Sequence, residues 1–409
     1  SAVIPAAICF AAGLGYLGWK SFSSNAVYEN PDSGKHQFYG DRNVMVIVPH
    51  QDDELNILGG VLEEYVRYGS EIRIVFVTNG DYSFPAEIRL NEALSVAERL
   101  EIPEDQIIFL GYGNEWEKDA PHIYNSDPDA VCTSYAGNTA AYGTNEHTAY
   151  NEGSAYTLRN LEQDLKNLIL ENRPEILFCS DYDHHIDHKA VSLLFEKVMG
   201  RILKENPDYM PVVYKGYAYG TAWESAPDYY ADNVLSTQNL FEEPYSQRPA
   251  VYRWEDRVRM PVAGDTLSRS LMGAPAYQTL ALHDSQGAAG FAERVISGDR
   301  VFWQRQTASL VLYADVTVSS AEAEQLHDFM LVDNYDLVNP DHQPYDGIWI
   351  PEKTDHAKTV TVTLAEPSDL AEIVLYDHPS SEHNVINAVI SFDDGTSMET
   401  GPLDPDGAA

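Results

Sequence analysis

The chain has 409 residues, 44% of them hydrophobic and 22% charged. That is too long for one ordinary domain and ample for a large core of its own. Its 26 Lys+Arg stand against 64 Asp+Glu, a formal net charge of -38. Phosphate neutralisation needs a basic face, so nucleic acid and anionic lipid are excluded as partners, and the excess reads as a solvated acidic exterior.

The first segment, Ala2 to Trp19, carries no charged residue. Its length is close to the ~18-residue minimum for a spanning helix. Lys20 follows, then a Ser-rich, Pro-containing stretch to Arg42, and Ser24 and Ala26 suit a small-residue cleavage pattern. Residues 1–24 read as a membrane anchor or a cleavable signal, and 25–41 as a linker. Either reading places the rest outside the cytoplasmic membrane, secreted or membrane-anchored, with membrane contact through this segment only. The three cysteines, Cys9, Cys132 and Cys179, form neither a disulfide framework nor a CxxC metal motif, and Cys179 sits in an apolar run as a buried thiol.

From Asn43 the pattern is a strand followed by an amphipathic helix, repeated. "NVMVIVPH" is the continuous apolar run of a parallel strand covered on both faces. "ELNILGGVLEEYVRYG" predicts one helix, with Leu55, Leu58, Leu62, Tyr65 and Val66 at helical spacing and Gly69 at its end. "EIRIVFVTNG" predicts the second strand, "AEIRLNEALSVAERL" the second helix and "QIIFLGYG" the third strand. A Tyr-, Asn-, Gly- and Asp-rich insertion runs from about Asn114 to Gly153, of the kind that is functional or disordered in a compact domain. "LRNLEQDLKNLILENR" is a helix, "EILFCS" a strand, and "KAVSLLFEKVMGRILKE" a helix. Beyond Pro207 one strand is predicted at "PVVYKGYAYG", and helix at "AYQTLALHDSQ" and "GFAERVISGDRVFW". After about Ala321 short strands separated by turn residues take over. The fold class is therefore α/β: a Rossmann-like, mostly parallel sheet flanked by helices over 42–315, then a partial all-β sandwich over 322–409.

In an open parallel sheet, ligands bind beyond the carboxyl ends of the strands. Two polar clusters lie at such ends: His50, Asp52, Asp53 and Glu54 after the first strand, and "DYDHHIDHKA", with His184, His185, Asp187 and His188, after the fourth. Alone, an Asp-Asp-Glu run reads as a solvated helix start and a His-His pair as surface. At matching topological positions they favour a metal. One His and one Asp from the first cluster with one His from the second make a catalytic zinc set, leaving a fourth position for water. If one Asp ligates, the other serves as general base, and a remaining imidazole serves as donor to an oxyanion or leaving amine. A receiver domain would want an Asp at the end of the third strand, where "LGYGN" stands, and two-His-one-carboxylate iron sites sit on β-barrels. His122 and His147 belong to the insertion and have no assigned role.

The paired motifs "PHQDDE" and "HIDH" resemble the PIG-L/LmbE-like zinc-dependent de-N-acetylases, which remove acetyl groups from N-acetylglucosamine-type amides. "VFVTNGD", "RLNEALSVAERLEI" with Arg89 and Glu92, "IIFLGYGN" and "LALHDSQ" agree, so the resemblance spans roughly Asn43 to Gln306. It implies His50, Asp53 and His188 as ligands of Zn2+ or another divalent transition metal, and Asp52 as general base. It further implies His185 as the imidazole at the oxyanion or leaving amine, with Asp187 as its partner. Arg89 matches a substrate-side arginine, the alternative being a helix-surface charge; Asn114 is a second substrate-binding candidate. Gln51 stands where many members have proline, and Gly113 and Asn114 stand where many carry an Asp. The implied function is removal of the acetyl group from an N-acetylated amino sugar, free or in a glycan. The alternatives are a hydrolase of another sugar-linked amide, or a carbohydrate-binding surface protein with a vestigial metal site. The tail resembles the first part of a galactose-binding-like (discoidin-type) sandwich, which implies glycan binding, the alternative being a structural β appendage.

Overall fold

In a computed structural model the described residues are 38–114, 123–183, 185–218, 252–262, 275–290, 298–331, 349–377 and 385–403. The N-terminal apolar segment, His122 and His184 lie outside them. Among the described residues no helix is long and apolar enough to cross a membrane.

Strand β1 (Asn43–Val48) pairs in parallel with β2 (Glu71–Thr78), and β2 with β3 (Ile107–Tyr112). On its other side β1 pairs in parallel with β4 (Ile176–Ser180), and β4 with β5 (Val212–Gly216). Two antiparallel strands, β6 (Val258–Pro261) and β7 (Asp299–Arg305), complete a seven-stranded sheet of order β3-β2-β1-β4-β5-β7-β6. The direction of winding reverses between β1 and β4, the place where an open α/β sheet leaves a crevice.

Successive β1 side chains feed two cores, as the two-residue strand period requires. Val44, Val46 and Val48 pack with helices α1 (Asp53–Leu58), α2 (Gly60–Arg67) and α3 (Ala86–Arg99) through Leu55, Leu58, Leu62, Tyr65 and Leu90. Met45 and Ile47 pack with α4 (Leu158–Asn172) and α5 (Ile186–Glu205) through Leu165, Ile169, Leu194 and Phe195. Each such fully buried aliphatic side chain contributes about 1.5–3 kcal/mol. The short helix α6 (Pro275–Leu280) joins the first layer through Ala276 and Leu280.

Three predicted helices differ from the structure, one of them "AYQTLALHDSQ", which is α-helical only to Leu280 and ends in a 3-10 turn over Asp284–Gln286. The helix after β1 is broken into α1 and α2 at Gly59, whose φ of 51° and ψ of −133° no ordinary side chain favours. The carbonyls of Asn56 and Ile57 are instead met by the guanidinium of Arg300, fully buried on β7 (Nε to Ile57 O, 3.0 Å). The stretch "GFAERVISGDRVFW" is not helical over its described end: Asp299–Arg305 is strand β7, held between β5 and β6.

The insertion seals the outer edge of β3. Tyr142 N–H donates to Gly111 O (2.9 Å) and Tyr150 N–H to Phe109 O (2.7 Å), satisfying edge carbonyls that would otherwise face solvent. Contact is close at Gly113, where a Cβ would fall 2.1 Å from the Ser134 side chain. Beyond the main sheet, β8 (Asp315–Val318) pairs with β9 (Val360–Thr363), and β10 (Val389–Ser391) with β11 (Ser397–Glu399), as two small antiparallel sheets. Of the short strands expected after Ala321, one would fall on the apolar stretch "LAEIVLYD", which forms no strand among the described residues. The Cys179 thiol is buried on β4, and that burial pushes its pKa up to about 12.

Candidate metal centre

Both polar clusters face the crevice between the ends of β1 and β4. Asp53 is fully buried at the start of α1, and its Oδ2 lies 3.1 Å from His50 Nδ1 and 3.1 Å from His188 Nε2. The ligand atoms of His50, His185 and His188 all lie within 4.8 Å of one another. Asp53 Oδ1 has no hydrogen-bond partner among the described residues and is buried. An orphaned carboxylate oxygen beside converging imidazoles fits a divalent cation that takes nitrogen and oxygen donors.

The surroundings are anionic. His188 Nδ1 lies 2.8 Å from Asp183 Oδ2, and His50 Nε2 lies 3.0 Å from both Asp187 Oδ2 and Asn114 Oδ1. A carboxylate on the far nitrogen of an imidazole orients it and raises its basicity, as around metal-bound histidines. Burial depresses the His50 pKa, yet hydrogen bonds to Asp187 and Asp53 outweigh it and lift the value to about 9. His188 is likewise held well above its ordinary value against burial, by Asp183 and Asp53. Burial opposes ionisation of Asp53, but His188 and His50 hold its pKa well below the usual range. The pocket is built to hold positive charge.

His185 differs from its neighbours. It caps α5: its Nδ1 accepts the backbone N–H of Asp187 at 3.1 Å. That bond places the ring proton on Nε2, a tautomer assigned from the hydrogen bond. Burial, then the charges of His188 and His50, push its pKa well below the ordinary value, so the ring is neutral. The Asp187 carboxylate, expected as the partner of His185, has Oδ2 3.0 Å from His50 Nε2, and its charge acts on His185 as well.

Asp52 stands next to this group with φ 131° and ψ −23°, a conformation favouring glycine. Such backbone costs about 1–3 kcal/mol. Its carboxylate is 15% exposed and lies 3.5 Å from the Arg89 guanidinium. Burial and the charge of Asp53 raise its pKa to about 6, opposed by Arg89, His283 and His50. Arg89 is buried, not a helix-surface charge, and its second contact is the Gln51 carbonyl. Asn114 reaches the site from the end of β3, its backbone N–H donating to Asp81 Oδ1 at 2.7 Å. Asp81 also accepts from Tyr142 of the insertion. His147 lies elsewhere, with Nε2 3.0 Å from Asn91 Oδ1.

The eight residues to which the resemblance gives a role, His50, Asp52, Asp53, Arg89, Asn114, His185, Asp187 and His188, thus lie in or beside the crevice. Sequence reasoning missed the parts played by Asp183 and Asp81. Asp183 had a signal, a carboxylate five residues before a candidate ligand on the same strand-to-helix turn; Asp81 is recognised only once β2 and β3 are paired.

Residues 45–199 match the family model for GlcNAc-PI de-N-acetylase (PIG-L), and both motifs lie within the matched stretch. Residues 309–409 match a domain of unknown function, DUF7402. No curated protein sequence matches the chain. Among solved structures it is similar to N,N'-diacetylchitobiose deacetylase from Pyrococcus horikoshii, with 15% identity over 65% of this chain and 84% of that one and a TM-score of 0.36. A deacetylase solved with teicoplanin, from its biosynthesis pathway, shares 14% identity over 64% and 97% of the two chains, with a TM-score of 0.38. A conserved protein from Thermus thermophilus shares 16% over 67% and 99%, with a TM-score of 0.36.

Proposed function

We propose that the chain is a divalent-metal-dependent hydrolase that removes the N-acetyl group from an N-acetylated amino sugar, free or in a glycan. The observation that carries this reading is the convergence of His50, Asp53 and His188 on one buried point, with the carboxylate of Asp52 beside it. Zinc, or another divalent transition metal, held by those three residues would polarise the acetyl carbonyl and make water a nucleophile near neutral pH.

The protein's own groups do the rest. Ionised Asp52 takes the proton of the attacking water. His185, neutral and with its Nε2–H not used in the capping bond, donates to the oxygen that gains charge as the carbonyl becomes tetrahedral. A neutral imidazole has no spare proton for the leaving nitrogen, so Asp52, now protonated, passes its proton on as the C–N bond breaks. The water's hydroxyl ends in acetate and its proton on the amine. Asp183 and Asp187 orient the His188 and His50 rings.

A sugar suits the rim of the site. Tyr82 and Tyr135 are part-exposed, with ring centroids 4.3 Å apart, and the Tyr135 N–H donates to the Asn114 carbonyl at 3.2 Å. Aromatic faces so placed offer stacking area for a pyranose next to the reacting amide. For the C-terminal segment, glycan binding is inferred from sequence likeness alone. Export is inferred likewise from residues 2–19; glycan-binding and cell-fractionation measurements test the two.

Acetate release from a panel of N-acetylhexosamines and short chito-oligosaccharides tests the function, with the metal-loaded protein and after chelation. Release that stops on chelation and returns with zinc is the expected result. A fully metal-loaded protein that turns over no acetylated sugar sinks the deacetylase reading and leaves the other amide or the binding protein.

Replacing Arg89 by Met removes the nearest cation that favours ionised Asp52. The Asp52 pKa then rises, and because the base must be ionised to act, the acid limb of the kcat profile moves to higher pH. A shift of about one unit is expected at this separation. An unmoved acid limb would dissociate Arg89 from the base.

A further inference from the structure

The strained backbone of Asp52 is held by a pair of buried residues that the chemistry above does not use. The Asp52 N–H donates to Glu54 Oε2 at 2.9 Å. The other oxygen of that carboxylate, Oε1, lies 2.6 Å from His283 Nε2. Glu54 and His283 are both 0% exposed and 229 residues apart in sequence. His283 Nδ1 has no hydrogen-bond partner among the described residues, so the ring's one side-chain hydrogen bond there is to Glu54. A buried carboxylate and imidazole are a poor way to fill space that aliphatic side chains would fill more favourably.

The turn carrying His283 is itself fixed. Ser285 donates through its N–H and its Oγ to the two carboxylate oxygens of Glu92 on α3, each at 2.7 Å. Arg89 lies three residues earlier on the same helix, hence on the same face, and reaches the Asp52 carboxylate. Helix α3 thus steadies Asp52 twice: directly at its carboxylate, and at its backbone through Ser285, His283 and Glu54.

We propose that Glu54 and His283 are positioning residues for the general base, holding the Asp52 backbone in the conformation that aims its carboxylate at the reacting water. The proposal rests on the reading of Asp52 as base. Glu54 and His283 touch no reacting atom, so their effect is on kcat, through Asp52.

The test is a mutant cycle on the metal-loaded full chain, using the acetylated sugar of highest turnover. Glu54→Ala and His283→Ala are expected to lower kcat about 10- to 100-fold with metal content unchanged. KM should stay within about twofold, since ground-state binding is not involved. Glu54→Gln, whose amide oxygen still accepts the Asp52 N–H while its amide nitrogen can meet the His283 ring only after the ring proton moves to Nδ1, should recover part of the lost kcat. In an Asp52→Ala background, Glu54→Ala should cost nothing further, because the group it positions is gone. Equal losses in both backgrounds, or a kcat that falls only in step with metal content, would overturn the proposal in favour of a purely structural pair. Should Glu54→Ala fail to fold, His283→Gln in the same two backgrounds separates the same outcomes. An Asp52→Ala protein with wild-type kcat would overturn the base assignment and this proposal together, whereas an inactive Asp52→Ala with an unaffected Glu54→Ala overturns the positioning role alone.

Discussion

Asp52→Gly is expected to abolish deacetylation while leaving the fold at least as stable as the wild type. The loss in kcat should be about 10²- to 10⁴-fold, the range for removal of a general base. Stability should move the other way for two reasons. Glycine adopts φ 131° without a Cβ clash, removing strain of about 1–3 kcal/mol. The repulsion between the Asp52 and Asp53 carboxylates also disappears. Thermal denaturation beside acetate release measures both. A marked drop in melting temperature would mean that Asp52 is there for the fold and not for the reaction.

The second large effect concerns the metal. His188→Ala removes a donor and should abolish both metal binding and turnover. Asp183→Asn leaves every proposed ligand in place but weakens the hold on His188, and is expected to reduce metal affinity about 10- to 100-fold. Uptake should also release protons. His50, lifted to about 9 in the metal-free protein, is protonated at pH 7 and must give up that proton to ligate. Apparent affinity therefore climbs as pH rises toward 9. Calorimetry in buffers of different ionisation enthalpy reads the proton count, and metal uptake without proton release would refute this ligand set. The same shift has a sign for stability: a raised histidine pKa stabilises the metal-free fold below about 6.5, and that contribution is lost as pH climbs through about 9.

The parallel half of the sheet was legible because its strands are buried on both faces and their apolar runs need no partner to be recognised. The site was legible for the same reason: charge at the tip of such a run has few uses. What stayed hidden depends on contacts distant in sequence. Apolar spacing runs unbroken through Leu58 and Leu62, so nothing local announces the break at Gly59, and the carbonyls it frees are met by a residue over 240 positions away. Asp299–Arg305 reads as helix in isolation and becomes a strand because β5 and β6 offer it edges on both sides. Arg89 had two readings until α3 was seen to dock under the tip of β1. "LALHDSQ" was visible as a pattern, but His283 gained a purpose only beside Glu54.

Arg300 carries a further consequence. It sits on β7 and grips the last carbonyls of the helix that bears Asp53, so the active-site motif is anchored from beyond the stretch that matches the family model. Likeness along the chain and mechanical integrity have different extents here. A fragment cut to residues 45–199 would keep every proposed ligand and lose the Arg300 contact that holds the helix bearing Asp53. Truncation and domain grafting should therefore respect the full seven-stranded sheet as the smallest portable unit.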